Sequence, residues 1–193
     1  MTIYLIRHTK PDVPDGTCYG QSDIEVKEAE FKLTVSRIEQ KIDFNKIEKV
    51  YTSPLKRCSL LAHSLMTERS EVITDVRIKE LDFGKWELKK WEDIDSGELE
   101  RWGNNFVYDR VPAGESNMDL YNRISEFWDE ILEEDAETLA IVTHGGVIKS
   151  LLSKILEMPL EKSFSIKVHY GELIAIRYFR NNHFELEFLT QTV

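Results

Sequence analysis

The chain has 193 residues, 41% of them apolar and 31% charged, with nine glycines and five prolines. That length and composition suit a single globular domain over residues 1–193, able to bury ~70% of the surface its unfolded form exposes and to stand without disulfide staples. The net charge of −10 argues against nucleic acid or an anionic membrane as partner, since both need a basic face; a small anion site stays open wherever a few Arg and His converge.

Cys18 and Cys58 form neither a disulfide framework nor a metal-ligand spacing, so a reducing, cytoplasmic setting and a site without metal or cofactor are expected. No apolar run approaches the ~18 residues of a membrane span. The N-terminus lacks the basic start and small-residue cleavage site of a signal peptide, which makes it part of the expected fold.

Ile3-Tyr4-Leu5-Ile6 is an apolar run without alternation, the pattern of a strand buried on both faces. Residues 9–23 carry Pro11, Pro14, Gly16 and Gly20 and read as a loop. Phe31, Val35, Ile38 and Ile42 then recur at helical spacing. Val50 and Tyr51 close a second strand. Next comes a turn at Thr52-Ser53-Pro54, with Ser53 expected as N-cap and Pro54 as first residue of a helix that faces inward with Cys58, Leu61, Ala62 and Leu65. Residues 72–78 read as a third strand. Residues 81–112 are polar, aromatic and irregular, with Trp86, Trp91 and Trp102, a long insertion suited to walling a site. Leu120, Ile124, Phe127, Trp128 and Ile131 mark a long helix. Leu139-Ala140-Ile141-Val142 is a buried strand, and Gly145-Gly146 leads from it into a helix carrying Val147, Leu151, Leu152 and Ile155. Residues 173–178 and 184–189 read as a closing pair of strands around a turn at Asn181-Asn182. This alternation predicts a three-layer α/β/α sandwich with a mostly parallel central sheet, in which ligands bind beyond the carboxyl ends of the strands.

Past those ends stand Arg7-His8-Thr9-Lys10, then Thr52 to Arg57, then Glu80, then Thr143-His144-Gly145-Gly146. Each has an ordinary explanation taken alone: a satisfied strand-end histidine, a surface ion pair for Arg57, a solvated Glu80, a tight turn at the two glycines. Their coincidence at four strand ends points instead to phosphate chemistry. Arginine grips phosphate oxygens bidentately, and the helix N-termini after Pro54 and Gly146 offer N–H groups to an anion. A neutral imidazole can serve as nucleophile while a carboxyl protonates the leaving oxygen, a complete set for metal-free phosphoryl transfer. Rival chemistries lack their motifs. There is no phosphate-binding G-x-x-x-x-G-K-[ST] loop, no G-x-G-x-x-G and no G-x-S-x-G elbow, and neither cysteine has an arginine six positions on.

Leu5-Ile6-Arg7-His8-Thr9 resembles the Arg-His-Gly signature of the histidine phosphatase (phosphoglycerate mutase-like) superfamily, and Ser53 to Arg57 its Ser-Pro-Leu-x-Arg motif. Glu80 to Glu87 resembles the segment carrying its proton donor; Pro112-Ala113-Gly114-Glu115-Ser116 and Val142 to Gly146 match two more motifs. The resemblance covers residues 3 to about 156 and implies His8 as phosphorylated nucleophile, Glu80 as proton donor, and Arg7, Arg57 and His144 as the rest of the phosphate pocket. Gly145 and Gln21 are further candidates for substrate contact, with loop packing the alternative for Gln21 and for Cys18. Thr9 departs from the usual Gly, and Pro14 stands where the family often has Asn. The Arg-His-Thr start, the Cys18-Tyr19-Gly20 loop and the compact length look most like the alpha-ribazole phosphatase branch, which acts in cobalamin synthesis.

The expected activity is a phosphomonoesterase acting on a small-molecule phosphate ester, with alpha-ribazole phosphate as a candidate. One alternative is a phosphoglycerate mutase. Mutases of the family tend to be longer, with a tail shielding the site, whereas this chain runs to Val193 directly after a predicted strand. The other alternative, a non-catalytic phospho-ligand binding protein, fits poorly with intact His8, Glu80 and His144. The sequence leaves the oligomeric state open.

Overall fold

A computed structural model describes residues 1–68, 70–179 and 183–190. Its strands are β1 (Thr2–Arg7), β2 (Lys49–Thr52), β3 (Glu71–Thr74), β4 (Thr138–Thr143), β5 (Leu173–Phe179) and β6 (His183–Phe188), and its α-helices α1 (Glu28–Glu39), α2 (Lys56–Leu65), α3 (Ser96–Asn105), α4 (Asn117–Leu132) and α5 (Gly145–Ile155). One sheet runs in the order β3-β2-β4-β1-β5-β6. β1 to β4 are parallel, β5 is antiparallel to β1, and β6 antiparallel to β5. The expected pair of strands after residue 172 is this hairpin; the turn at Asn181-Asn182 lies outside the described residues.

The apolar runs make three layers because successive side chains of a strand point to opposite faces. Ile3, Leu5, Leu139 and Ile141 pack with Leu120, Ile124, Phe127 and Trp128 of α4 and with Val147, Ile148 and Leu151 of α5. Ile6, Ala140 and Val142 face the other way, onto Ile38 of α1 and Cys58, Leu61, Ala62 and Leu65 of α2. The α/β/α sandwich with a mostly parallel sheet is therefore the observed architecture.

Three boundaries differ from the sequence reading. The third strand stops at Thr74, because the Asp75 carboxylate accepts the Arg77 N–H at 2.8 Å and starts a 3-10 turn over Val76–Ile78. Glu80 thus leaves an irregular segment. Helix α2 begins at Lys56, two residues beyond the expected Pro54: its first N–H donates to Asp23 Oδ1 at 2.7 Å, so a carboxylate from a distant loop takes the place foreseen for Ser53. Helix α1 ends at Glu39, and Ile42 continues the same buried face from beyond it.

The aromatic insertion folds into 3-10 turns at Gly84–Trp86 and Trp91–Asp93, followed by α3. Trp86, Ile94 and Val111 bury Cys18, with Phe83, Trp91 and Trp102 packed against them. Cys18 N–H donates to Lys89 O at 2.7 Å and Trp91 N–H to Gly16 O at 2.9 Å. Loop 9–23 and the insertion are thereby joined around a small second core. Cys18 is packing, and its thiol pKa is pushed up to about 12 by burial and then by the Glu87 charge.

Candidate active site

Strand register builds the site. Arg7 stands opposite Thr143, and Thr52 opposite Val142, so His8, His144 and Ser53 leave three neighbouring strands at one level. His8 N–H donates to Thr143 O at 2.9 Å and Ser53 N–H to Val142 O at 3.1 Å, which extends the ladder beyond the strand ends and fixes the three residues. The two imidazoles lie 5.0 Å apart between centroids, edge to face, and both are buried.

Both rings are neutral. Burial, then the Arg57 and Arg7 charges, hold His8 well below the ordinary histidine value. His144 is held down by burial, then by His8, Arg57, Arg7 and Arg123. The tautomer of His8 follows from its partner: Nδ1 lies 2.6 Å from Thr9 O, and a carbonyl can only accept. Nδ1 therefore carries the proton, and Nε2 keeps its lone pair. Thr9 supplies this contact without left-handed backbone; among described non-glycine residues only Leu88, Ala113 and Glu157 take positive φ. His144 Nε2 is 2.8 Å from Ser53 Oγ, and the Cys58 thiol lies 3.4 Å from the same nitrogen.

Two guanidinium groups flank the imidazoles. Arg57 is fully buried; it donates through Nη1 to Ser22 O at 2.8 Å and through Nη2 to Gly20 O, so it spreads across loop 9–23. Arg7 donates through Nη1 to Val168 O at 2.6 Å. The Nε atoms of both, and Thr9 Oγ1, are buried without a hydrogen-bond partner among the described residues. A buried donor left unsatisfied costs ~1–3 kcal/mol, and two guanidinium N–H groups beside two neutral imidazoles suit an anion.

Glu80 completes the set from the fourth direction. Its Oε2 accepts the Gly146 N–H at 3.1 Å and its Oε1 the Leu81 N–H at 3.0 Å. The glycine pair exists for close approach rather than for an unusual turn. A Cβ at Gly146 would meet Glu80 Oε1 at 2.2 Å, and one at Gly145 would stand 3.2 Å from the Arg7 guanidinium carbon. Gln21 lies beside this carboxyl with both ends of its amide engaged: Nε2 donates to Glu80 O at 3.1 Å, and Oε1 accepts from Lys79 Nζ. The structure thus brings His8, His144, Arg7, Arg57, Glu80 and Gly145 close together beyond the strand ends, with Gln21 bonded to the Glu80 backbone.

Sequence reasoning missed Tyr19 and Tyr170, whose hydroxyls hydrogen-bond to each other over the site. The Arg7 guanidinium lies 4.0 Å from the Tyr170 ring centroid and that of Arg57 5.3 Å from Tyr19, while Tyr170 is 5.7 Å from His8. One signal was available for Tyr170: a closing strand antiparallel to β1 must bring its entry loop to the edge that holds His8. Ser53 was seen only as a helix cap, and Arg123 carried no signal. Among the described residues no group of three His, Cys, Asp or Glu side chains is placed to hold a metal ion, and no helix is long and apolar enough to cross a membrane.

A mostly parallel sheet carrying paired histidines and arginines beyond the carboxyl ends of its parallel strands defines a class, and the sequence as a whole matches it. The chain belongs to the histidine phosphatase superfamily (branch 1), whose family pattern matches residues 3–192, and it is a phosphatase enzyme of that family. Among relatives, it is 27% identical over 169 residues to phosphoserine phosphatase 1 of Hydrogenobacter thermophilus, covering 84% of this chain and 80% of the relative. It is 25% identical over 189 residues to the adenosylcobalamin/alpha-ribazole phosphatase of Escherichia coli, covering 91% and 89%. The crystal structure of the alpha-ribazole phosphatase from Shigella flexneri superimposes with a TM-score of 0.89 over 99% of this chain and 96% of that one, at 23% identity, a likeness of fold.

Proposed function

We propose that the protein is a metal-independent phosphomonoesterase that hydrolyses a small phosphate ester through a phosphohistidine on His8, with residues 1–193 acting as one cytoplasmic phosphatase domain. One observation carries this reading: a neutral imidazole, its proton fixed on Nδ1 and its Nε2 lone pair kept, stands close to two arginines with unpartnered Nε–H groups. Arg7, Arg57, His144 and the Gly145 end of α5 hold the dianion. His8 Nε2 attacks phosphorus as the bond to the ester oxygen breaks, and Glu80 gives that oxygen its proton, releasing the alcohol. Glu80, now a carboxylate, takes a proton from water as that water attacks the phosphohistidine. The P–N bond breaks, and inorganic phosphate leaves with His8 neutral and Glu80 protonated again. The Thr9 carbonyl stabilises the charge that the ring carries while phosphorylated.

Relatives bear the names of phosphoserine and alpha-ribazole phosphatases, so alpha-ribazole phosphate heads the substrate panel, followed by phosphoserine, sugar phosphates and phosphoglycerates. Rapid quench of labelled substrate on wild type should trap an acid-labile phosphoenzyme, and His8→Ala should show neither label nor turnover. Appreciable hydrolysis by His8→Ala would overturn the reading, and interconversion of phosphoglycerates without net phosphate release would favour the mutase alternative.

A further inference from the structure

The segment that carries Glu80 has neither helix nor strand from residue 79 to residue 83, so its backbone polar groups need partners from elsewhere. Lys79 O, Glu80 O and both backbone groups of Asp82 find theirs on one ion-paired couple, Arg123 and Glu115. Arg123, on α4, donates through Nη1 to Arg77 O and, at 2.7 Å, to Lys79 O, and through Nη2 to Glu80 O at 2.9 Å. The same guanidinium grips Glu115 bidentately, Nε to Oε1 and Nη2 to Oε2, both at 2.9 Å. Glu115 Oε2 accepts the Asp82 N–H at 3.0 Å, and the Glu115 N–H donates to Asp82 O at 2.9 Å.

The chain is thus held on both sides of Glu80 by a single guanidinium–carboxylate unit. The Pro112 to Ser116 motif has its physical meaning here. Gly114 lets the loop close down, since a Cβ there would meet Asp82 O at 2.3 Å. Glu115 reaches the clamp, and Ser116 caps α4 in a reciprocal capping box with Asp119, which fixes the helix that presents Arg123.

We infer that Arg123 and Glu115 are positioning residues that set the Glu80 carboxyl at the leaving-group oxygen by clamping residues 77–82. The inference rests on the reading of Glu80 as proton donor. It commits the pair to one step, donation to the departing alcohol, and predicts that their loss is felt according to the leaving group. A phenolate departs with little help, whereas an alkoxide needs the proton. A displacement of ~1 Å in a catalytic group is enough to cost on the order of 10²-fold.

The experiment is a double-mutant cycle on the full chain at pH 7.5, reading kcat/KM for p-nitrophenyl phosphate and for an alkyl phosphate, with thermal denaturation run alongside. Arg123→Gln and Glu115→Gln should each lower the alkyl ester by ~10–100-fold and the aryl ester by less than ~3-fold. In a Glu80→Gln background, Arg123→Gln should cost the alkyl ester no more than a further ~3-fold, because the carboxyl it would have displaced is already gone. Arg123→Lys, which keeps the charge but cannot fork across three carbonyls and a carboxylate, should fall between wild type and Arg123→Gln in its alkyl-to-aryl ratio. It also serves as the test should Arg123→Gln not fold. Equal loss on both esters, or independent multiplication of the losses in the Glu80→Gln background, refutes the positioning role. A Glu80→Gln enzyme that does not discriminate between esters refutes the proton-donor reading itself, a distinguishable result.

Discussion

Gly146→Ala separates stability from chemistry at one atom. Gly146 is the second residue of α5, where alanine would ordinarily favour the helix by up to ~1 kcal/mol. The added Cβ, however, would lie 2.2 Å from Glu80 Oε1 and 3.2 Å from Glu80 Cδ, with Leu120 Cδ2 behind it at 3.5 Å. Ordinary contact begins near 3.4 Å, so the carboxyl must retreat by about 1 Å, and it loses the aim set by the Gly146 and Leu81 N–H groups. A shift of that size removes on the order of 10² from proton donation, or ~2.7 kcal/mol of barrier. The expected variant is folded, melts within a few degrees of wild type, cleaves p-nitrophenyl phosphate within a few-fold of it, and loses ~100-fold on an alkyl phosphate. An unchanged alkyl-to-aryl ratio in steady-state kinetics would show that Glu80 does not act from this position.

Three further expectations follow from the same geometry. His8 and His144 are held below the ordinary histidine range, so the unfolded chain takes up protons before the folded one as pH falls. Their contribution to stability is complete above pH ~6.5 and declines below it by up to ~1.4 kcal/mol per pH unit for each imidazole, until the folded-state values are reached. Melting temperature should therefore drop as pH falls below ~6.5, and a free-enzyme NMR titration of His8 centred near 6.5 would contradict this. Arg57→Lys should lower kcat/KM by at least ~10²-fold, because an ammonium gathers its three donors on one atom and lacks the planar fork that spans Gly20 O and Ser22 O while presenting a further N–H to phosphate; a loss under 5-fold in the same assay counts against Arg57 as an anion ligand. With charge balanced by Arg and His, turnover should persist in excess EDTA, and strict dependence on an added divalent ion would overturn the metal-free mechanism.

The convergence of the candidate residues was legible because parallel α/β folds gather ligands at strand ends, and β1 and β4 announce themselves as apolar runs. Arg7, His8, Arg57 and His144 needed only that rule. Glu80 was read from the end of a strand that in fact stops at Thr74; it joins the other candidates from an irregular segment that follows the Asp75 turn. Ser53 was misassigned for a different reason. A local pattern of Ser followed by Pro reads as a cap, but Asp23 takes the first N–H of α2 from 33 residues upstream, and the Ser53 hydroxyl accepts the Leu55 N–H at 3.4 Å while it faces His144.

What the amino-acid order determined by itself was the layering and the inventory, because hydrophobic periodicity and the carboxyl-edge rule act over a few residues. Only the tertiary structure decided the protonation and aim of that inventory. The proton on His8 Nδ1, the two unpartnered arginine Nε atoms, the tyrosine pair over them and the Arg123–Glu115 clamp all arise from contacts between groups far apart in the chain. Burial and hydrogen-bond direction at such contacts are set by packing, which no local pattern encodes.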